Sequence, residues 1–182
     1  TIAKLLDATI ECLIEHGYRD TSIARICKRA GVSHGGLFRH FASRTALLVA
    51  ATHEMSRRHF HQLMSLLAAP PKSVDMAEEL VTFARDATRE PLAAAWREVM
   101  VATRSDEELR VAVKPAVQEF EDSVFEVAAG IPGAPSDTRA FGTLLLSILH
   151  LYDSEASHIG ILFTEDVELL RFDWAVKLLR EQ

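Results

Sequence analysis

The stretch from Thr21 to Arg44, TSIARICKRAGVSHGGLFRHFASR, limits what this chain can fold into more than any other. Thr21 and Ser22 stand where a hydroxyl accepts from the orphan N–H groups of a new helix. Ile23, Ile26 and Cys27 then recur on one face at helical spacing, with Arg25, Lys28 and Arg29 mainly on the other. Ala30-Gly31-Val32 ends that helix: Gly31 suits the left-handed position past a helix end, and Val32 drops under the turn. Ser33 is placed to cap the next helix, whose inward face reads Leu37, Phe38 and Phe41. Outward sites follow for Ser33, His34, Gly35, Gly36, Arg39 and His40. Two helices joined by a tight glycine-containing turn, the second exposed and polar at its N-terminal end, match the shape that enters the DNA major groove.

Gly35 and Gly36 each weaken a helix by about 1 kcal/mol relative to alanine. The pair therefore points to a close backbone approach, for which a phosphate or base edge is a good partner at a helix N-terminus. The plainer reading is a helical hairpin with a solvated basic face, which leaves the lack of bulk unexplained. Thr21, Ser22, Arg25, Ser33 and Arg44 suit phosphates, which position a protein without reading sequence. His34, Gly36, Arg39 and His40 approach base edges or neighbouring phosphates. Arg39 suits a guanine edge and a phosphate equally well. His40 reads slightly better as a packing residue at the helix end. Gly35 and Leu37 complete the candidate DNA-binding set.

Net charge sharpens the picture. The whole chain carries −6, which by itself argues against a nucleic-acid partner. Residues 1 to 61 hold nine Lys/Arg against five Asp/Glu, a net of +4, and the remainder carries −10. Such asymmetry fits a DNA-facing head on an acidic body.

Together with the preceding AKLLDATIECLIEHGYRD, the segment resembles the DNA-binding domain of TetR-family transcriptional repressors. Gly17-Tyr18, Thr21-Ser22-Ile23, Ala30 to Ser33, Gly35, Leu37-Phe38, His40-Phe41, Ser43-Arg44 and Leu47 carry the resemblance, over about the first third of the chain. Beyond that only the architecture matches. The chain departs from the family pattern at His34, where lysine is common, and at Gly36, where a small hydroxyl residue is common. Phe38 replaces a tyrosine that often binds phosphate, and Arg44 replaces a lysine. No base preference is carried over.

The remaining pattern is helical throughout. Ile2 to His16 is amphipathic, with Leu5, Leu6, Thr9 and Leu13 inward and Gly17 as its stop. Ser43 caps a long fourth helix, Arg44 to about Ala69, which Pro70-Pro71 ends. Further helices are expected over Ser73–Arg89 and Pro91–Arg104. A capping box at Ser105 opens a seventh that Pro115 kinks or divides. The last two span Asp137–Ile159 and Thr164–Arg180. The fold class is all-α with about nine helices. An N-terminal three-helix helix-turn-helix DNA-binding domain covers residues 1–46 and extends into helix four, and a helical ligand-binding and dimerisation domain covers 47–182.

The final helix carries two apolar stripes, Val167, Leu170, Trp174, Leu178 and Leu169, Phe172, Val176, Leu179. Two stripes exceed one core contact, so a partner helix is expected. The resemblance implies a homodimer built on the last two helices, here through Phe141, Leu145 and Ile148 with Val167, Leu170, Trp174 and Leu178. It also implies a palindromic operator and a small-molecule inducer. The body's apolar and aromatic residues favour an apolar or amphipathic ligand, with Leu63, Leu67, Phe83, Trp96, Met100, Thr103, Phe120, Leu149 and Tyr152 as candidates. Each of these is also ordinary core at helical spacing. Arg97, Arg104 and His150 suit a polar end.

Two cysteines, Cys12 and Cys27, make no disulfide or metal framework, and a thiol switch is the weaker reading of them. His53, His59 and His61 lack the spacing and partners of a metal site. No metal and no cofactor is expected. No apolar run is long enough for a membrane span, and no signal-peptide layout opens the chain, so it reads as cytoplasmic. No catalytic motif stands out, so an all-α enzyme is the weaker alternative, beside a helical protein-protein module that does not bind DNA. The resemblance implies a dimeric transcriptional regulator, a repressor released from DNA by a small ligand.

Overall fold

The computed structural model describes residues 1–68, 75–131, 133–161 and 164–182. Among these lie nine α-helices and no strand: α1 (Ile2–Asp20), α2 (Ile23–Ala30), α3 (His34–Phe38), α4 (Arg44–Ala68), α5 (Met76–Arg89), α6 (Pro91–Ala102), α7 (Glu107–Gly130), α8 (Thr138–Ala156) and α9 (Glu165–Arg180). The all-α expectation holds. Ala69, the Pro70-Pro71 break and Ser73 fall outside the described residues.

Local chemistry sets most helix ends. Asp75 caps α5 by accepting from the Ala77 N–H at 3.0 Å, and Asp137 caps α8 through Ala140 at 2.9 Å. The capping box expected at Ser105 is displaced by one residue. Asp106 is the cap of α7, taking the Leu109 N–H at 2.9 Å, while the Ser105 hydroxyl lies 3.4 Å from the Ala102 carbonyl. Pro115 does not divide α7, which runs unbroken through it.

By packing, the described chain separates into two compact units. The first comprises Thr1–His59 and Pro91–Phe120, the second Phe60–Glu90 and Glu121–Gln182. The first has two apolar clusters. Leu5, Ala8, Cys12, Ile26, Cys27, Leu37, Phe41 and Leu47 form one. Ile10 and Leu13 join Leu48, Ala51, Met55, Ala95, Val99 and Val113 in the other. Thus α1 buries two faces, one against α2, α3 and the start of α4, the other against α6 and α7. Thr9 fits this apolar setting because its hydroxyl returns to the Leu5 carbonyl at 2.7 Å.

The second unit is built on Leu80, Val81, Val127, Ala128, Phe141, Ile148, Tyr152, Ala175, Val176 and Leu179. Phe141 and Ile148 are therefore committed to this core, at 5% and 3% exposure, and neither has a face left for a partner chain. On α9 the two stripes separate. Toward its C-terminal end Val176 and Leu179 of the second stripe are buried, whereas Leu170 and Trp174 of the first are 67% and 53% exposed; at the N-terminal end Leu169 of the second stripe is also exposed, at 58%. Val167, Leu178 and Leu145 are half-buried.

One buried carboxylate stands in this second unit. Glu155 on α8 is held by Arg89 at 2.8 Å and Arg171 at 3.2 Å, and Arg89 also binds Glu168 at 2.9 Å. Replacing Glu155 by glutamine removes the charge between two arginines. Both guanidiniums keep access to water and Arg89 keeps Glu168, so the expected cost is about 1–3 kcal/mol. Urea unfolding should show a lower midpoint with an unchanged slope. An unchanged midpoint would mean that the cluster contributes nothing.

Candidate nucleic-acid interface

Serines make the starts of the three helices around the turn. Ser22 accepts from the Arg25 N–H at 3.3 Å, Ser33 from Gly36 at 3.0 Å and Ser43 from Ala46 at 3.0 Å. Gly31 adopts φ 64° and ψ 34°, the left-handed position that closes α2, and Val32 N–H then reaches the Cys27 carbonyl at 3.1 Å. Leu37, fully buried, and Phe41 anchor α3 to the core. Ser33, His34, Gly35, Phe38, Arg39 and His40 are exposed.

The two glycines of α3 differ. A Cβ on Gly36 would lie 3.0 Å from Val32 Cγ1 and 3.2 Å from Ser33 Oγ, so the protein's own turn requires a small residue there. A Cβ on Gly35 would meet nothing within 4 Å. Only Gly35 leaves its backbone open to an approach from outside.

Several expected contacts are placed otherwise. Leu37 has no exposed surface and belongs to the core. Phe38, read as an inward residue, is 51% exposed and lies on the outer face. Thr21 is fully buried, and its hydroxyl donates to the Gly17 carbonyl at 2.7 Å, so it presents no group to a phosphate. Arg44 donates from Nε to the Thr21 carbonyl at 2.9 Å and from Nη2 to the Tyr18 carbonyl at 2.5 Å, and it stacks 4.4 Å from the Tyr18 ring centre. It fastens the turn from within. Arg29 is occupied by Glu11 at 3.1 Å and by Glu15. Arg25, Lys28 and Arg39 are exposed and have no ion pair among the described residues. Lys28, on the outward face of α2, belongs with the other two.

A further set joins this region to α6 and α7. Gly17, at φ 71° and ψ 175°, breaks the helical path of α1 and turns the Tyr18 N–H onto Glu98 Oε2 at 2.8 Å. The Tyr18 hydroxyl donates to Asp106 Oδ2 at 2.9 Å. The Leu109 N–H first, and the Tyr18 hydroxyl second, hold the Asp106 carboxyl below its ordinary range. Burial raises the Tyr18 phenol, against the opposing effect of Arg44. These partners lie some 80 residues apart in the chain, and no local pattern announces them.

The candidate ligand residues fall into two groups. Trp96, Met100, Thr103 and Phe120 belong to the first unit, where the Trp96 and Phe120 rings lie 5.4 Å apart. Met100 and Thr103 border a cavity of about 380 Å³ between α6 and α7. Leu63, Leu67, Phe83, Leu149 and Tyr152 belong to the second unit. Tyr152 is buried, its hydroxyl has no partner among the described residues, and burial, with Glu155 second, pushes its pKa up to about 12. Of the suggested polar anchors, Arg104 and His150 are exposed, and Arg97 is half-buried.

His53 pairs with Glu119 at 2.8 Å, and His59 meets the rings of Trp96 and Phe120 edge-on. No group of three or more metal-ligating side chains comes together among the described residues. Cys12 and Cys27 are buried free thiols whose pKa burial raises, the opposite of what a reactive thiolate needs. Among the described residues, no helix is long and apolar enough to cross a membrane.

The family model for bacterial regulatory proteins of the tetR family matches residues 5–51. "Uncharacterized HTH-type transcriptional regulator Rv2912c" of Mycobacterium tuberculosis is 32% identical over 180 residues, covering 98% of this chain and 92% of its own. The Escherichia coli regulator BetI is 35% identical over 69 residues, 38% of this chain and 35% of BetI. Among solved structures, multidrug binding protein EbrR complexed with ethidium superposes with a TM-score of 0.72 at 18% identity, covering 99% of this chain and 96% of its own. Salmonella enterica GusR gives 0.64 at 21%, covering 98% and 95%. The structural likenesses show the fold, and the sequence relatives are regulators of transcription, not enzymes. This chain belongs to the TetR family of bacterial regulatory proteins and is a helix-turn-helix transcriptional regulator.

Proposed function

We propose that the protein is a homodimeric repressor that holds a palindromic operator and releases it when a small, largely apolar ligand binds. The observation that carries this reading is the outer face of α3, where Gly35 leaves the backbone open between exposed His34 and Arg39. The proposed DNA surface is Ser22, Arg25, Lys28, Ser33, His34, Gly35, Arg39 and His40. Thr21, Gly36 and Leu37 shape the turn, and Arg44 braces it. Residues 1–46 read DNA, and 47–182 bind ligand and dimerise. The open stripe of α9, Leu170 and Trp174 with Val167, Leu178 and Leu145 beside it, supports a subunit contact. EbrR, described as a multidrug binding protein, supports a ligand-responsive body.

The test is selection of bound sequences from a random duplex pool, followed by binding of the winner at several salt concentrations. An enriched inverted repeat is expected, with half-sites about 34–36 Å apart or somewhat more, and with steep salt dependence. Trp174→Glu should yield a folded monomer that loses the full repeat's affinity. Enrichment of a sequence without two-fold symmetry would overturn the dimer on DNA, and a Trp174→Glu protein that stays dimeric would overturn the placing of the subunit contact on α9. No enrichment by a folded dimer would overturn the reading as a whole.

A further inference from the structure

The open pocket between α6 and α7 lies within the first unit and has about 380 Å³ of space, inside the range of roughly 300–1,000 Å³ typical of small-ligand sites. Met100, Val113 and Val117 supply its apolar wall, and Val111 stands 64% exposed beside them. Val113 is itself core, so that part of the wall is fixed by packing. The Thr103 hydroxyl already donates to the Met100 carbonyl at 2.6 Å. Two cations border the space. Arg110 is engaged by Glu107 at 2.8 and 2.6 Å. Lys114 is exposed and has no ion pair among the described residues. The residues three and four positions from it are Arg110, Val111, Val117 and Gln118, none of them acidic.

An apolar wall with one uncompensated cation at its edge suits a particular kind of guest. We propose that this cavity binds a single-chain amphipathic carboxylate, its hydrocarbon against Met100, Val113 and Val117 and its head group beside Lys114. A neutral alcohol of the same length would leave the ammonium without a counter-charge. A cationic amphiphile would place its head against Lys114 and Arg110. The proposal rests on the ligand-responsive reading above and specifies where the ligand sits and what it is.

Such a site would act on DNA binding through contacts already described. Glu98, which holds the Tyr18 N–H, precedes Met100 by two residues, and Asp106, which holds the Tyr18 hydroxyl, follows Thr103 by three. A guest that spreads α6 from α7 moves both anchors of Tyr18, and Tyr18 in turn holds Arg44. Tyr18 is thus a positioning residue for the DNA-reading turn.

The full chain is titrated by calorimetry with decanoate, decanol and decyltrimethylammonium. Decanoate should bind, decanol roughly tenfold more weakly, and the ammonium compound not at all. Lys114→Glu, at an exposed site, should weaken decanoate by about tenfold and leave decanol unchanged. Val117→Trp should remove binding of both, with thermal melting confirming a folded protein. Tyr18→Phe should keep decanoate affinity while reducing the effect of decanoate on operator binding. Decanoate binding that ignores Lys114→Glu and Val117→Trp, or no binding at millimolar concentration, overturns the proposal. A protein that releases its operator for other apolar compounds yet ignores decanoate overturns this site alone and leaves the repressor reading intact. Failure of operator selection with decanoate bound at Lys114 would count against the repressor reading, because the calorimetry does not involve DNA.

Discussion

Gly35→Leu should lose operator binding and gain stability. An added Cβ at this position meets no atom within 4 Å, so the fold accommodates a side chain. Removing a helical glycine should stabilise the protein by about 0.5–1 kcal/mol. The same side chain would stand where DNA is proposed to meet the α3 backbone, and it should hold the two apart. The expected loss is about 3 kcal/mol, over a hundredfold in Kd. Gly36→Ala should keep operator binding and gain less stability than Gly35→Leu, because its Cβ presses on Val32 and Ser33 and offsets the helical gain. Anisotropy titrations with the selected operator, set beside thermal melts, separate the two effects. Wild-type affinity in Gly35→Leu would mean that α3 does not bring its backbone close to DNA.

Gly17→Ala should be the most destabilising single methyl in the first unit. Its φ of 71° with ψ of 175° belongs to a region that only glycine occupies readily, at a cost of about 1–3 kcal/mol for other residues. The new Cβ would also lie 2.8 Å from Glu98 Oε2, the atom that accepts the Tyr18 N–H. Displacing that exposed, flexible carboxylate weakens a charge-assisted hydrogen bond, at a cost of about 0.5–1 kcal/mol. A total near 3 kcal/mol should lower the melting temperature by roughly 6–12 °C for a chain of this size. Adding Glu98→Ala to Gly17→Ala should relieve the crowding but not the backbone strain, so the double variant should remain less stable than Glu98→Ala alone. Melting of Gly17→Ala within a degree of the parent would refute this account.

What the sequence disclosed was local. The caps at Ser22, Ser33 and Ser43 and the left-handed Gly31 depend on residues within a turn of one another, and the structure places each as the spacing predicts. Phe38 lies outward, against its helical spacing, for a physical reason. Helical spacing would put Phe38 on a face with Phe41, three residues on, but that relation holds only while the helix continues. Because α3 spans only His34–Phe38, nothing beyond it brings Phe38 back toward the core. Thr21 and Arg44 have the chemistry of phosphate ligands, yet what they bind is set by the Gly17–Tyr18 turn, which spacing does not reveal. The α9 stripes are legible in the sequence as a pair. Which one lies inward depends on packing against Leu80, Val81 and Val127, and that is tertiary information.

Tyr18 also bears on how far such regulators can be assembled from exchangeable parts. Its amide and hydroxyl answer to Glu98 and Asp106, while its carbonyl and ring answer to Arg44. A chimera cut near residue 46, where the motif ends, would carry Tyr18 and Arg44 into a new host without their distant carboxylates. The transplanted segment would keep its shape around Leu37 and Phe41 and lose its connection to the rest. A working transfer of specificity therefore has to exchange the segment from Pro91 through Asp106 along with the first 46 residues, so the inheritable unit is discontinuous in the chain.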